Sequence, residues 1–259
     1  MNQAVADSIR RSGLADTVAE HLLEDIVSGV YPPLSQLPPE PELAERAGVS
    51  RLTLREAIKD LRQRGVVEVQ QGRGTFVTHP ERWSQFDSAV LNARAATEEG
   101  YELAHELTEL RRVFERGVAE FAAVRRTEED LARMAEAIEA MKEAWEVKDV
   151  DAFASADLDF HDALLRAARN TFALALFHSI HGALRAVRRR TTLLNAGELS
   201  EHAIEYHTRI LAACRRRSPR AAAALMDEHL RETETFTAEL AAKSAAERRK
   251  AAEAASSAP

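Results

Sequence analysis

Apolar positions recur along most of this 259-residue chain with the period of a helix and alternate in only one short place. Leu14, Val18, Leu22 and Ile26 stand four apart, which predicts a helix over 14–28 that Gly29 ends. Pro38 and Pro39 suit the first turn of a short second helix with Leu43, Ala44 and Ala47 on its apolar side. Gly48 breaks that helix, and Ser50 is placed to cap the next, whose apolar face is Leu54, Ile58 and Leu61. Gly65 closes it. Two alternating runs follow, 66–70 and 75–78, joined by Gln71-Gly72-Arg73-Gly74, where two glycines permit the positive φ of a tight hairpin. Residues 1–13 are expected to be mobile, and 30–36, with Pro32 and Pro33, to form a turn.

From Tyr101 onward no strand pattern remains, and Ala, Leu, Arg and Glu, all strong helix formers, dominate. The spacing predicts helices over 101–124, 127–147, from Asp149 or Asp151 to 170, 172–190 and 200–217, then a last one opened by Ser218 and Pro219. Thr127 with Asp130 resembles a capping box, Ser200 is a cap, and 195–197 is a break. The stretch 81–100 is weakly periodic and reads as a linker with a short helix over 83–89. The expected fold class is mainly α. A winged helix-turn-helix with a small β-hairpin wing (1–80) and the linker (81–100) precede an all-α bundle (101–244) and a flexible tail (245–259) without large apolar side chains.

A net charge of −7 and 45% hydrophobic residues describe a globular chain with no general attraction for nucleic acid. No apolar run approaches the roughly 18 residues of a membrane span, and the N-terminus lacks the apolar core of a signal peptide. The single cysteine, Cys214, reads as a small helix-core residue and fits a reducing cytoplasm, the expected location. Cations are nevertheless concentrated on one helix, where Arg51, Thr53, Arg55, Lys59 and Arg62 lie opposite the apolar face, and on the hairpin tip at Arg73. Arg can bond guanine O6 and N7 bidentately, Thr can bond several bases, and a wing arginine can reach a phosphate or the minor groove. The competing reading is a surface helix with a solvated charged face; the order from cap to wing favours DNA docking.

The stretch LPPEPELAERAGVSR-LTLREAIKDLRQRGVV-GRGTFV resembles the GntR family of bacterial transcription regulators over about 14–77. The resemblance implies that Arg51, Thr53, Arg55 and the wing around Gly72 contact double-stranded DNA. With the Ser50 cap, Lys59 and Arg73 they form the expected DNA-binding set. Pro41 stands where the family usually has a basic residue, and Leu52 where it often has a polar one, so base preference there should differ.

In the second half Asp157 and His161 are four apart and point from one helix face, while His207 and His229 lie in the two following predicted helices. Two readings of the Asp/His pair are open on spacing alone: a surface hydrogen bond, or part of a divalent metal site closed by the later histidines. The segments ELRRVFE, DLDFHDALLRAARN, EYHTRILAAC and ALMDEHL resemble the helical effector domain of the FadR-type branch, the FCD domain, over about 101–241. That resemblance puts Asp157, His161, His207 and His229 at the family's metal positions and Arg111 at an arginine that faces the effector pocket. Imidazole ligands suit zinc or nickel. Three neutral imidazoles and one carboxylate leave a divalent ion positive, which attracts an anion; hydroxide or phosphate would also satisfy it, and the resemblance favours a small organic acid as the expected effector, with Leu164, Leu211 and Leu225 limiting its size. The expectation is a ligand-responsive repressor, not an enzyme. The resemblance and geometry together imply a homodimer, since two modules related by a twofold axis read a pseudo-palindromic operator. The alternatives are a metal-dependent hydrolase-like enzyme, since an open zinc position can activate water, and a regulator whose metal is purely structural.

Overall fold

The computed structural model describes residues 3–194 and 198–256, and the chain divides into two compact units, 1–97 and 98–259. The break expected at 195–197 lies outside the described residues.

In the first unit, α1 (Gln3–Val27) is already helical well before Leu14, so the segment expected to be mobile continues the helix through Gly13. The helix-turn-helix follows as α2 (Glu40–Arg46) and α3 (Arg51–Gln63). Leu22, Leu23, Ile26, Leu43, Leu54, Ala57, Ile58 and Leu61 bury their side chains in one cluster, which is why α1 packs behind α3. The hairpin strands β1 (Val67–Gln70) and β2 (Gly74–Val77) are antiparallel, with Val67 opposite Val77. The expected turn forms at Pro33 and Leu34, closed by the Ser35 N–H donating to Pro32 O at 3.1 Å, and the chain then runs beside β2: Leu37 N–H donates to Thr75 O at 2.9 Å, and Val77 N–H to Ser35 O at 2.9 Å. Gly65 has φ +75°, and a Cβ there would sit 2.3 Å from the Arg82 carbonyl oxygen, so only glycine fits between α3 and the strand it feeds.

The expected linker is folded. Residues 80–82 form a single 3₁₀ turn, and the helix comes later than predicted, as α4 (Ser88–Ala96), because Asp87 caps it by accepting from the Ala89 and Val90 N–H groups. Val90 is buried in the same core as α1 and α3. Arg64 ties the two regions, donating to Asp60 at 2.7 Å and to Asp87 at 2.6 Å.

The second unit is all-helical among its described residues: α5 (Gly100–Arg125), α6 (Glu128–Glu146), α7 (Val150–Ala167), α8 (Thr171–Leu194), α9 (Glu198–Arg215) and α10 (Pro219–Ser256). Thr127 and Asp130 form a full capping box at α6, and Asp149 caps α7. Helix α9 opens at Glu198, so Ser200 is a buried residue of its first turn rather than its cap. Helix α10 packs along α5 and continues through the expected tail to Ser256; Ser244 and Arg248 bond the Glu98 carbonyl, and Arg248 pairs with Glu102. Phe153, Phe160, Phe177, Met134, Met141, Leu158 and Leu164 fill the interior.

Candidate metal centre and nucleic-acid interface

The first turn of α3 is built by its cap. Ser50 Oγ accepts from the Thr53 N–H at 3.1 Å and lies 2.8 Å from the Thr53 hydroxyl. Thr53 is only 5% exposed, and its hydroxyl lies against the capping serine. Arg51, Arg55, Lys59 and Arg62 are exposed on one side of α3. Arg55 is not free: its Nε donates to Glu40 Oε2 at 2.8 Å, tying α3 to the start of α2. Leu52 is 57% exposed on this same first turn. At the hairpin tip Gly72 and Arg73 are exposed, Arg73 lies over the Phe76 ring at 5.6 Å, and Gln36 Nε2 donates to the Arg73 carbonyl at 2.8 Å, which steadies the wing.

In the second unit one ligand atom from each of Asp157, His161, His207 and His229 lies within 4.8 Å of every other, and all four residues are buried. Helix α7 contributes the first two at i and i+4; α9 and α10 bring one histidine each. His161 Nδ1 lies 2.6 Å from Glu115 Oε2. An ionised carboxylate only accepts, so that nitrogen carries the proton and Nε2 is left with its lone pair, buried and without a hydrogen-bond partner. His207 Nδ1 lies 3.2 Å from Met141 Sδ, an acceptor only, which likewise turns the Nε2 lone pair inward. The His207 and His229 Nε2 atoms are 3.2 Å apart. Two nitrogens about 2.0–2.1 Å from a common zinc at the tetrahedral angle are separated by roughly that distance. Asp157 Oδ1 sits 3.2 Å from Arg188 Nη2 but makes no well-aligned hydrogen bond. Orphaned, buried lone pairs converging on one point are costly in a protein interior unless something occupies them, and this donor set fits a divalent cation.

The charges around the cluster are fixed. Burial pushes the Glu115 carboxyl up, but Arg111 and His161 outweigh it and hold it at about 2. Burial also opposes ionisation of Asp157, yet the Arg188 charge, with Arg111 adding to it, keeps its carboxyl below the ordinary range. For His207 and His229 burial dominates, with neighbouring positive groups adding to it, and both fall well below the usual imidazole value, so they stay neutral and able to ligate. Phe160 stacks on His207 with centroids 4.0 Å apart, which fixes that ring's plane.

Arg111, expected to face an effector, spends half its fork on Glu115: Nε donates to Oε1 at 2.6 Å, while Nη2 is buried without a partner. Leu164 and Leu211 are buried and Leu225 is half-buried; the ring contacts to the histidines come from Phe160, Phe177 and Tyr206. Sequence reasoning missed Glu115, Met141 and Arg188. The first lies 46 residues before His161 in a helix rich in glutamate, and no short-range spacing marks it. Two other histidines of the second unit serve locally: His178 pairs with Asp162 at 2.6 Å and His202 with Glu232 at 2.5 Å.

Comparison with known proteins gives two family matches: residues 14–77 match the bacterial regulatory proteins of the gntR family, and residues 106–232 match the FCD domain. The chain is 33% identical over 176 residues to the galactonate operon transcriptional repressor of Escherichia coli (strain K12), covering 68% of this chain and 76% of that protein. It is 33% identical over 215 residues to the HTH-type transcriptional regulator LutR of Bacillus subtilis (strain 168), covering 81% of this chain and 94% of LutR. Among solved structures, Lar, which controls the expression of the Listeria monocytogenes agr system and mediates virulence, superposes with a TM-score of 0.62 at 20% identity, covering 87% of this chain and 97% of that one, a likeness of fold.

Proposed function

We propose that this chain, a transcriptional regulator that belongs to the GntR family of bacterial regulatory proteins and carries an FCD domain, is a homodimeric repressor released from its operator by a small organic acid. The acid would bind beside a divalent metal, zinc or nickel, held by Asp157, His161, His207 and His229. The observation that carries this reading is the set of four buried ligand atoms within 4.8 Å of one another, two of them orphaned. When bound, the ion supplies a fixed positive centre for a carboxylate. The chain's own residues do the rest. Glu115 holds the His161 tautomer, Met141 and Phe160 hold His207, and the apolar interior strengthens every charge interaction.

On the DNA side, Arg51 and Arg55 read base edges from the start of α3, Lys59 and the wing residues Gly72 and Arg73 meet the backbone, and Ser50 with Thr53 hold the helix start in place. Docking replaces the Arg55–Glu40 pair by a contact to DNA, because Glu40 would otherwise set a carboxylate against the phosphates. Leu52, exposed between these cations, offers an apolar contact to a thymine methyl. Effector and operator each favour one arrangement of the dimer, so each weakens the other by the same factor. Operator release by a panel of small carboxylates, run with and without a chelator, tests the mechanism. Release that needs both acid and metal supports it. Equal release from metal-free protein of intact fold sinks it.

A further inference from the structure

Helix α5 presents a row of apolar residues to solvent. Val113 is 80% exposed, Phe121 45% and Val124 55%, and with Leu110 and Gly117 they are spaced three or four residues apart, so they form one stripe along the helix. A contiguous apolar face of this kind marks a surface for association, where scattered apolar residues do not. Phe121 is held in place: the Arg125 guanidinium lies 4.4 Å from its ring centre, and Arg125 Nη1 donates to the Ala168 carbonyl at 2.7 Å. In the middle of the stripe stands Gly117. Glycine weakens a helix interior relative to alanine, and the chain's own packing does not call for it here, because a Cβ at Gly117 would meet nothing within 4 Å. On an outward face, what the missing side chain permits is the close approach of another backbone.

The order of residues about that glycine says whose backbone it is. Val113 and Phe121 lie four residues to either side of Gly117, and Leu110 and Val124 seven. A second copy of α5 laid antiparallel across this face, with the twofold axis at Gly117, therefore meets its own complement, as an isologous contact requires. Val113 comes opposite the partner's Phe121, and Leu110 opposite the partner's Val124. An antiparallel twofold also sets like edges of the two helices together. Along one edge, half-buried Phe114 comes beside the partner's Phe121; along the other, exposed Arg116 comes beside the partner's Glu120, and each pairing occurs twice. A parallel pair would instead set the charged edge of one helix on the aromatic edge of the other. From the symmetric stripe, the open glycine and the matching edges, we infer that this face of α5 is where two copies of the chain pair, antiparallel about an axis at Gly117. The inference rests on the homodimer reading above and supplies its surface.

Cysteine linking of the full chain tests it. Cys214 is buried, so a cysteine placed on the surface reports alone. Mild oxidation should join Gly117→Cys into a covalent dimer, because at the axis the two sulfurs meet. Val113→Cys should not link, since its two copies stand more than two helical turns apart on opposite sides of the axis, and neither should Val147→Cys, exposed at the end of α6. Sedimentation equilibrium gives a second readout. Phe121→Ala should weaken dimerisation about tenfold or more, as loss of an aromatic anchor does. Arg116→Glu should weaken it several-fold by setting like charges together, and adding Glu120→Arg should restore it, a rescue that a folding defect would not allow. Linking of Val147→Cys as fast as Gly117→Cys overturns the inference, and equal linking of Val113→Cys overturns the antiparallel arrangement. A dimer of unchanged strength in Phe121→Ala, with no link at Gly117→Cys, overturns the inference and leaves a homodimer built on another surface. A chain that stays monomeric at every concentration overturns the homodimer reading itself, and this inference with it.

Discussion

Glu115→Gln keeps the shape of the side chain that bonds His161 but removes the charge that fixes where the imidazole proton sits. It also leaves Arg111 without its buried counter-ion. Loss of such an outer partner lowers metal affinity ~10–100-fold, which competition with a chromogenic chelator measures; unchanged affinity would deny Glu115 any part in holding the ligand. On α3, Leu52 carries a prediction of its own. Replacing single thymines by deoxyuridine removes only the methyl group, so one such replacement per half-site should weaken binding of the unaltered protein and leave Leu52→Ala indifferent. Insensitivity of the unaltered protein at every thymine would rule the contact out. Arg51→Ala should cost ~1–3 kcal/mol of specific binding if it reads a base edge, whereas Arg73→Ala should weaken specific and non-specific DNA alike if it touches phosphate. Single residues were unevenly legible. The four-residue step from Asp157 to His161 is visible in any helical register. Arg188 is one of several arginines in the last turns of α8, and burial separates it from Arg185 and Arg189. The capping role of the Thr53 hydroxyl follows from its place three residues after Ser50.

Elements were legible where local chemistry decides them. The Ser50 cap, the Thr127–Asp130 box and the Asp149 cap are short-range hydrogen-bond devices, so the starts of α3, α6 and α7 follow from a few adjacent residues. The start of α4 was missed because Trp83 looks like a helix residue; in fact its indole N–H bonds Thr78 Oγ1 at 3.1 Å beneath the wing, and the helix waits for Asp87. The turn at Pro33 and Leu34 is local and follows from the sequence, but the bridge from Gln36 to Phe76 depends on a long-range partner that no adjacent residue marks. The capping box gives a prediction at this scale. Thr127→Ala should cost ~1 kcal/mol of stability in urea unfolding, with metal and operator affinity unchanged. A change in metal affinity would mean that the start of α6 is coupled to the cluster through Met141, which packs in the same helix.

At the scale of the molecule, the division into two units sets out what regulation has to bridge: cations exposed on one unit, lone pairs buried in the other. The buried histidines make that second unit sensitive to acid in a definite direction. His207 and His229 are pushed well below the ordinary imidazole value by burial, whereas in the unfolded chain each titrates near 6.5. Below that pH the unfolded state binds protons that the folded state refuses, so stability rises with pH and is lost as pH falls beneath about 6.5. Each such histidine steepens the dependence by up to ~1.4 kcal/mol per pH unit. Metal-free protein should therefore lose urea resistance between pH 7 and pH 5, and His207→Gln with His229→Gln should flatten that slope by about two protons. A bound metal adds to the loss, because neutral histidines are what it requires. The loaded protein should be the more stable at pH 7, and the difference should shrink toward zero as acid releases the ion. Acid-induced operator release that follows the same curve would identify loss of the metal, rather than protonation at the DNA face, as the event that frees the operator; release well above the pH at which metal leaves would separate the two.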